Sequence, residues 1–194
     1  MNIFFLDDDP EKCAKMHNNS HCVKMILEYA QLLSTAHRVL DGYETTVLSD
    51  SGHKKKVWKL HNHEFDHRLY SATHINHPCA VWVRQSSLNY TWLSILLRYL
   101  CAEYTYRYGK VHKVERDGLM DLLYYNHPKN IKTGMMTEPV LAMPEDCKED
   151  TAIQSYRSYY INHKQHLAKW NGKVNSRKEP WWYMENQIAD ISVS

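Results

Sequence analysis

The chain has little of what marks several common protein classes. No apolar run approaches the roughly 18 residues that suggest a membrane span. Glycine and proline number six each in 194 residues, too few for a collagenous or low-complexity chain. No internal repeat is present, which sets aside solenoids and propellers. The five cysteines, Cys13, Cys22, Cys79, Cys101 and Cys147, are odd in number, widely spread and without a CxxC pair. They argue against a disulfide framework or a zinc ribbon and for a reducing compartment. Charge of one sign is also lacking: the net charge is +2, so any polyanion site must be a local patch. The segment from Met1 to Asp9 lacks the basic flank and small-residue cleavage site of a signal peptide. Phosphate-cradling P-loop, GxGxxG and GxSxG patterns are absent. The expectation is one intracellular domain over 1–194, with about 171–194 as a docked or partly mobile tail.

What the chain does have is histidine, tyrosine and tryptophan: thirteen, fourteen and six residues respectively. That wealth points to a polar ligand site, and the imidazoles can gain charge near a phosphate or at lower pH.

Helical spacing dominates. Asp9-Pro10 reads as a cap followed by proline in the first turn, opening a short helix to about His17. Ser20 caps a second helix over about His21 to Asp41, stopped by Gly42. Its polar stripe is His21, Lys24, Glu28, Gln31, Thr35 and Arg38, while His37 falls among the apolar positions. Residues 43–53 read as a loop, Lys54 to Ser71 as a third helix and Ala72 to Pro78 as a polar turn. A long aromatic helical region from Cys79 to Tyr108 has a break near Ser86-Ser87 and Gly109 as its cap. A shorter helix covers about Glu115 to Tyr125. An irregular proline-containing loop spans about 126–150, and a last helix runs from Thr151 to about Trp170. Asn2 to Leu6 is the one strand candidate. The expected fold class is all-α: a compact single-domain helical bundle.

Several constellations carry chemistry. His63-Glu64-Phe65-Asp66-His67 is an HExxH pattern; on a helix, His63 and His67 share a face and can hold zinc, with Glu64 as base. An exposed histidine-rich helix face explains the same residues. Thr73-His74-Ile75-Asn76-His77-Pro78 places imidazoles before a helix start, where Arg84 two turns on adds a cation for phosphate. The bland alternative is a turn that satisfies its own backbone. His21, Lys24, Glu28 and Gln31 suit acid–base work if they line a cleft, and a solvated face if they do not. His37 reads either as a hydrogen-bonded core histidine or as a site residue. Two segments interleave aromatics with cations: Tyr104 to Lys113, with Arg107, Lys110 and His112, and Tyr156-Arg157 to His163-Lys164, with Tyr160. Aromatics stack on bases and cations hold phosphates, although a core-facing stripe with snorkelling basic residues fits as well.

The run from His21 to His37, reading His-Cys-Val-Lys-Met-Ile-Leu-Glu-Tyr-Ala-Gln-Leu-Leu-Ser-Thr-Ala-His, resembles an uncharacterised family of bacteriophage proteins. Asn76-His77-Pro78, Trp82-Val83-Arg84, Tyr106 to His112, Pro128-Lys129-Asn130, Met143-Pro144 and Tyr156-Arg157 extend the likeness over most of the chain. More distantly, His17 to Glu28, Val81 to Gly109 and Pro180-Trp181-Trp182-Tyr183 resemble pieces of phage endonuclease V, the pyrimidine-dimer DNA glycosylase. That likeness implies an endonuclease V-like helical fold, a host-cytoplasm setting and a nucleotide-related ligand. The family attacks a sugar with an N-terminal amine exposed by methionine removal, assisted by an early-helix glutamate. Here Asn2 is expected to keep Met1 in place, and a rough alignment puts Lys24 where the glutamate is sought.

The leading expectation is therefore a phage protein acting on or binding a nucleotide or nucleic acid by metal-independent acid–base chemistry. His21, His37 and His77 are the proton-transfer candidates, and Lys24 is an electrostatic stabiliser or imine-forming amine. Arg84, Lys110, Arg157 and Lys164 would grip phosphate. Gln31, Asn76, Asn89, Arg107, His112, Tyr156 and Tyr160 complete the expected binding set. No cofactor and no membrane partner are expected. Two rivals stand beside this reading: a non-catalytic pocket protein that sequesters a nucleotide immune signal of the host, and a zinc hydrolase built on His63, Glu64 and His67.

Overall fold

The computed structural model describes residues 1–186. It is mostly helical with a small two-stranded sheet. Asp9 opens α1 (Pro10–Met16) by accepting from the backbone N–H groups of Glu11 and Lys12. The second cap lies two residues before the expected Ser20. The Asn18 side chain accepts from His21 N at 2.9 Å and starts α2 (Asn19–Asp41). α2 ends at Gly42, whose backbone turns extended, and the position admits only glycine because a Cβ there would meet the carbonyl oxygens of Arg38 at 2.5 Å and Lys59 at 2.6 Å.

The all-α expectation is corrected between 43 and 71. In place of a loop and a helix there is an antiparallel hairpin, β1 (Tyr43–Leu48) and β2 (Lys54–Lys59), in register from Tyr43 opposite Lys59 to Leu48 opposite Lys54. Lysine favours helix intrinsically, so Lys54-Lys55-Lys56 misleads. The decisive interaction is long-range. The buried Arg38 guanidinium donates to the carbonyls of Trp58, Asp66, Leu69 and Tyr70 and pairs with the Asp66 carboxylate. A continuous helix over 54–71 would have used most of those carbonyls internally. What remains helical is α3 (His63–Arg68), capped by Asn62.

α4 (Pro78–Gln85) and α5 (Ser87–Tyr108) are separated at Ser86, which is extended and caps α5 through Asn89 N. The break and the left-handed Gly109 at the end of α5, φ 65°, match the sequence reading. The helix expected over 115–125 is split into α6 (Lys113–Arg116) and α7 (Leu119–Tyr125) at Gly118, whose φ of 72° no helix accommodates. Residues 126–150 are irregular apart from a 3-10 turn, Glu145–Cys147. α8 (Ala152–His163) is a full capping-box helix at Thr151 and stops well short of Trp170, giving way to a 3-10 turn at Gln165–Leu167.

The core lies between α2, α4 and α5, with Met25, Ile26, Leu32, Leu33, Trp82, Leu93 and Leu97 all withdrawn from water. Burial of each such side chain contributes about 1.5–3 kcal/mol. Asn2 to Leu6 is not a strand: Ile3 to Leu6 are buried, and Phe4 N donates to the Tyr29 hydroxyl at 3.2 Å rather than to a ladder. In the tail, Trp170, Trp182 and Tyr183 dock into the core and residues 181–186 are helical, while Trp181 is exposed. The rest of the expected tail, 187–194, lies outside the described residues. No described helix is long and apolar enough to cross a membrane.

Candidate functional site

The N-terminal half of α2 brings His21 into a closed aromatic network. His21 is buried, stacked on Phe4 at 4.1 Å, with Nδ1 2.6 Å from the Tyr160 hydroxyl. His17, which the sequence reading did not single out, bonds the Cys13 carbonyl at 2.8 Å and the Tyr29 hydroxyl at 2.9 Å. Burial pushes His17 down to about 4 and His21 down to about 3, the latter helped by the nearby His17 ring, which cannot take a proton beside a protonated His21 without repulsion, and by the Lys164 and Lys24 cations. Both rings are therefore neutral near pH 7. Arg107, fully buried on α5, seals this end by pairing with Glu103 at 2.7 Å and donating to the carbonyls of His17 and Lys15. Arg177 pairs with the same Glu103 at 2.9 Å.

Above that network lies a polar rim. Glu28, half-buried, sits 3.2 Å from Lys24 Nζ and 3.7 Å from the Met1 α-amine. Lys24, which the rough alignment set at the position sought for a glutamate, is exposed and pairs with Glu28. His77 caps α4 through Cys79 N, and burial lowers its pKa, with the Met1 amine and His74 acting in the same direction and Glu28 against them. His74 holds a strained φ of 48° and bonds Thr73 at 2.7 Å. Gln31 is half-buried and Asn76 exposed.

The remaining expected binding residues are dispersed. Arg84 bonds its own helix through the Ala80 carbonyl, and Asn89 is buried against Trp82 and Thr137. Tyr156 is buried with its hydroxyl on the Val140 carbonyl. Arg157 pairs with Asp7 at 3.5 Å and lies over Trp181. Lys164 lies over the Tyr159 ring. Lys110 is exposed, and His112 caps α6 while its ring meets Tyr104 edge-on. His63, Glu64 and His67 are exposed on a helix of six residues. Among the described residues the group able to offer three metal ligands at once is Asp146, Cys147 and His163, without either of those histidines.

The C-terminal end of α2 presents a different environment, an open cleft of about 630 Å³. His37 and Asp41 form one wall; His61 and Phe65, flanking the start of α3, form the second. Tyr125, His127, Lys129 and Asn130, from the end of α7 and the following loop, form the third. Asp41 joins two of these walls by accepting from Lys129 N at 2.8 Å and Asn130 N at 2.9 Å. His37 Nε2 lies 2.9 Å from the Tyr90 hydroxyl and 3.1 Å from the Asn126 carbonyl, and its Nδ1 is 4.0 Å from Asp41. Burial lowers its pKa to about 4 despite Asp41, so its ring is a neutral, oriented part of the wall. His61 packs on Tyr43 at 4.9 Å and His127 on Tyr90 at 4.9 Å. Tyr125 lines the cleft and is 70% exposed, with Arg98 6.0 Å from its ring centroid and Tyr124 edge-on to it.

Of the expected residues only His37 belongs to this cleft. His61, Phe65, Tyr125, His127, Lys129 and Asn130 were not among the expected site residues, although Lys129 and Asn130 stand in the Pro128-Lys129-Asn130 motif and Phe65 within the HExxH run. The available signal was the second His-Pro turn, His127-Pro128-Lys129-Asn130, which repeats the pattern of His77-Pro78. No family model, curated protein or solved structure matches the chain.

Proposed function

We propose that the protein binds a nucleotide unit, free or within a nucleic acid, in the cleft at the C-terminal end of α2. The observation that carries this reading is the composition of one cavity: about 630 Å³, two aromatic rings, three imidazoles and a lysine. A cavity of a few hundred Å³ with a few convergent polar groups matches a small-molecule site. Phe65 and Tyr125 offer faces for a base, a sequence-tolerant interaction of about 1–3 kcal/mol per base. Lys129, His61 and His127 supply donors for a phosphate. Asp41 has spare acceptor capacity beyond its two backbone bonds, enough for a sugar hydroxyl or an exocyclic amine. The lysine-rich strand β2 leads into Leu60 and His61 of the cleft wall, with Lys56 paired to Glu44 and Lys59 to Asp66.

The test is calorimetric titration with mononucleotides and short single-stranded oligonucleotides, followed by mass spectrometry of the recovered ligand. Binding that weakens in Tyr125→Ala and rises in Kd with salt supports the reading. Absence of saturable binding to every nucleotide and oligonucleotide overturns it. A chemically altered ligand makes the protein an enzyme; a ligand released unchanged makes it a nucleotide sequestering protein.

One observation favours a second reading, a glycosylase/lyase at the rim of α2. There a half-buried carboxylate, Glu28, lies beside two amines, Lys24 Nζ and the Met1 α-amine. A deprotonated amine attacks a sugar C1′, the glycosidic bond breaks as the base leaves with a proton, and the C1′–O4′ bond then opens, O4′ taking the amine's proton, to leave a reducible imine; at an abasic site the amine condenses with the C1′ aldehyde and releases water. Glu28 would stabilise the cationic species. Borohydride trapping with DNA containing an abasic site tests it. A trapped adduct lost in Glu28→Gln supports it, and no adduct removes it.

A further inference from the structure

A mixed Asp–Cys–His triplet lies apart from both regions. Cys147 closes the 3-10 turn Glu145–Cys147, and its side chain is fully buried. It differs from the other four cysteines: Cys13, Cys22, Cys79 and Cys101 all belong to the apolar core, and Cys147 does not. Its Sγ instead lies 3.8 Å from Asp146 Oδ1. The other oxygen of that carboxylate is 2.7 Å from Nε2 of His163, the last residue of α8. The three potential ligand atoms all lie within 4.8 Å of one another.

We propose that Asp146, Cys147 and His163 bind one Zn²⁺ ion, clipping the irregular 126–150 segment to the C-terminal end of α8. Thiolate, imidazole and carboxylate together are a zinc donor set, whereas magnesium and calcium prefer oxygen alone. Zinc bonds of about 2.3 Å to sulfur and 2.0–2.2 Å to nitrogen and oxygen put tetrahedral ligand atoms roughly 3.4–3.6 Å apart. The 2.7 Å imidazole contact and the 3.8 Å thiol contact reach different oxygens of Asp146, so the carboxylate must turn to offer one oxygen to the metal; the imidazole–carboxylate separation then opens by less than about 1 Å, and the separations from the thiol, none beyond 4.8 Å, close by about 1.3 Å at most. Two of the three side chains can make that adjustment, because Asp146 is 61% and His163 37% exposed. The carbonyl end of α8, the negative pole of a twelve-residue helix, adds a favourable field for a cation. Binding replaces the hydrogen bond between His163 and Asp146 and releases the thiol proton to solvent. Three protein ligands leave a fourth position facing water.

Cobalt and zinc ions, each added alone to the metal-free full chain, test the assignment. One Co²⁺ per chain should give a thiolate-to-cobalt charge-transfer absorption and tetrahedral d–d bands. Zn²⁺ should displace it and raise Tm. Cys147→Ser and the surface variant His163→Ala should lose the absorption and the Tm rise while keeping the far-ultraviolet circular dichroism of the parent. The double variant His63→Ala/His67→Ala should keep both. A cobalt spectrum without thiolate character overturns the proposal. So does undiminished zinc uptake in Cys147→Ser, or loss of uptake in the His63/His67 variant. No cleft residue is involved, so nucleotide binding survives or fails independently of this result.

Discussion

α2 carries a buried histidine near each end, and the two ends are built to different purposes. At the N-terminal end His21 is enclosed by Phe4 and Tyr160, with His17 and Tyr29 behind it. At the C-terminal end His37 is as deeply withdrawn and equally neutral, yet one side of it borders a cavity. Each end is also held by a buried arginine that satisfies backbone carbonyls of neighbouring segments, Arg107 at the first and Arg38 at the second. The difference teaches that burial, a lowered pKa and a polar partner do not by themselves mark a site. What separates the two ends is unoccupied volume beside the imidazole. In the first, the hydrogen bonds fix a core; in the second, they fix a wall.

The largest effect is expected where that comparison is structural. Arg107→Met leaves Glu103 buried with Arg177 as its remaining partner and strips the Lys15 and His17 carbonyls of their donor. Removing one member of a buried pair costs about 3–5 kcal/mol when the other charge is left unpaired; because Arg177 still pairs with Glu103, urea unfolding should show a loss toward the lower end of that range. The equivalent Arg38→Met change should also destabilise the chain. Because Arg38 anchors 58–70 and with it the Phe65 wall, it should abolish nucleotide binding under conditions where the protein is still folded. Equal retention of binding in folded Arg38→Met and the parent would dissolve the distinction between the ends.

A pH series sharpens the same comparison. His17, His21 and His37 have folded pKa values lowered from 6.5 to about 4, about 3 and about 4. Below pH 6.5 the unfolded chain binds protons that the folded chain refuses, so the contribution to stability is complete above pH 6.5. It is lost as the pH falls toward 4 and, for His21, toward 3. The slope is about 1.4 kcal/mol per pH unit for each such histidine at its steepest. Unfolding free energies measured from pH 7 to pH 4.5 should show this fall, and His21→Gln should flatten it. A nucleotide phosphate in the cleft would act on His61 and His127 instead, so the ligand should leave the His17 and His21 part of the curve unchanged.

These expectations rest on features that the sequence disclosed unevenly. The cap at Asp9, the break at Ser86 and the cap at Gly109 are local events, settled within a few residues, and each was legible from residue type and position. The hairpin was not, because Lys54-Lys55-Lys56 speaks for helix locally and is overruled by an arginine on α2. The cleft was even less legible. Its walls come from 37–41, 61–65 and 125–130, and of those only His37 had a reason to be noticed, as a polar residue on an apolar helical face. The aromatic–basic stripes misled in the opposite direction: Arg107, Tyr156 and Tyr160 match a base-stacking pattern in sequence, but their partners are Glu103, the Val140 carbonyl and His21.

A binding prediction follows from exposure within the cleft itself. Tyr125→Ala removes a ring that is 70% exposed, so stability should change by no more than about 0.5 kcal/mol. Nucleotide affinity should fall by roughly 5- to 150-fold, the range of one lost stacking interaction. The matched control is Tyr99→Ala, which removes another partly exposed ring, from α5 and outside the cleft. If the two substitutions weaken nucleotide binding equally, the aromatic wall has no special part in it.

The smallest effect belongs to the most conspicuous motif in the sequence. His63→Ala/His67→Ala removes two exposed imidazoles from a six-residue helix, and solvent-exposed substitutions of this kind shift stability by about 0.5 kcal/mol or less. Neither ring lines the cleft, although Phe65 between them does. Nucleotide affinity should therefore match that of the parent while Phe65→Ala weakens it. A double histidine variant that lost affinity as strongly as Phe65→Ala would extend the site around α3 onto its solvent face. It would also return the HExxH pattern to contention at the one place where a surface motif and the cavity share a helix.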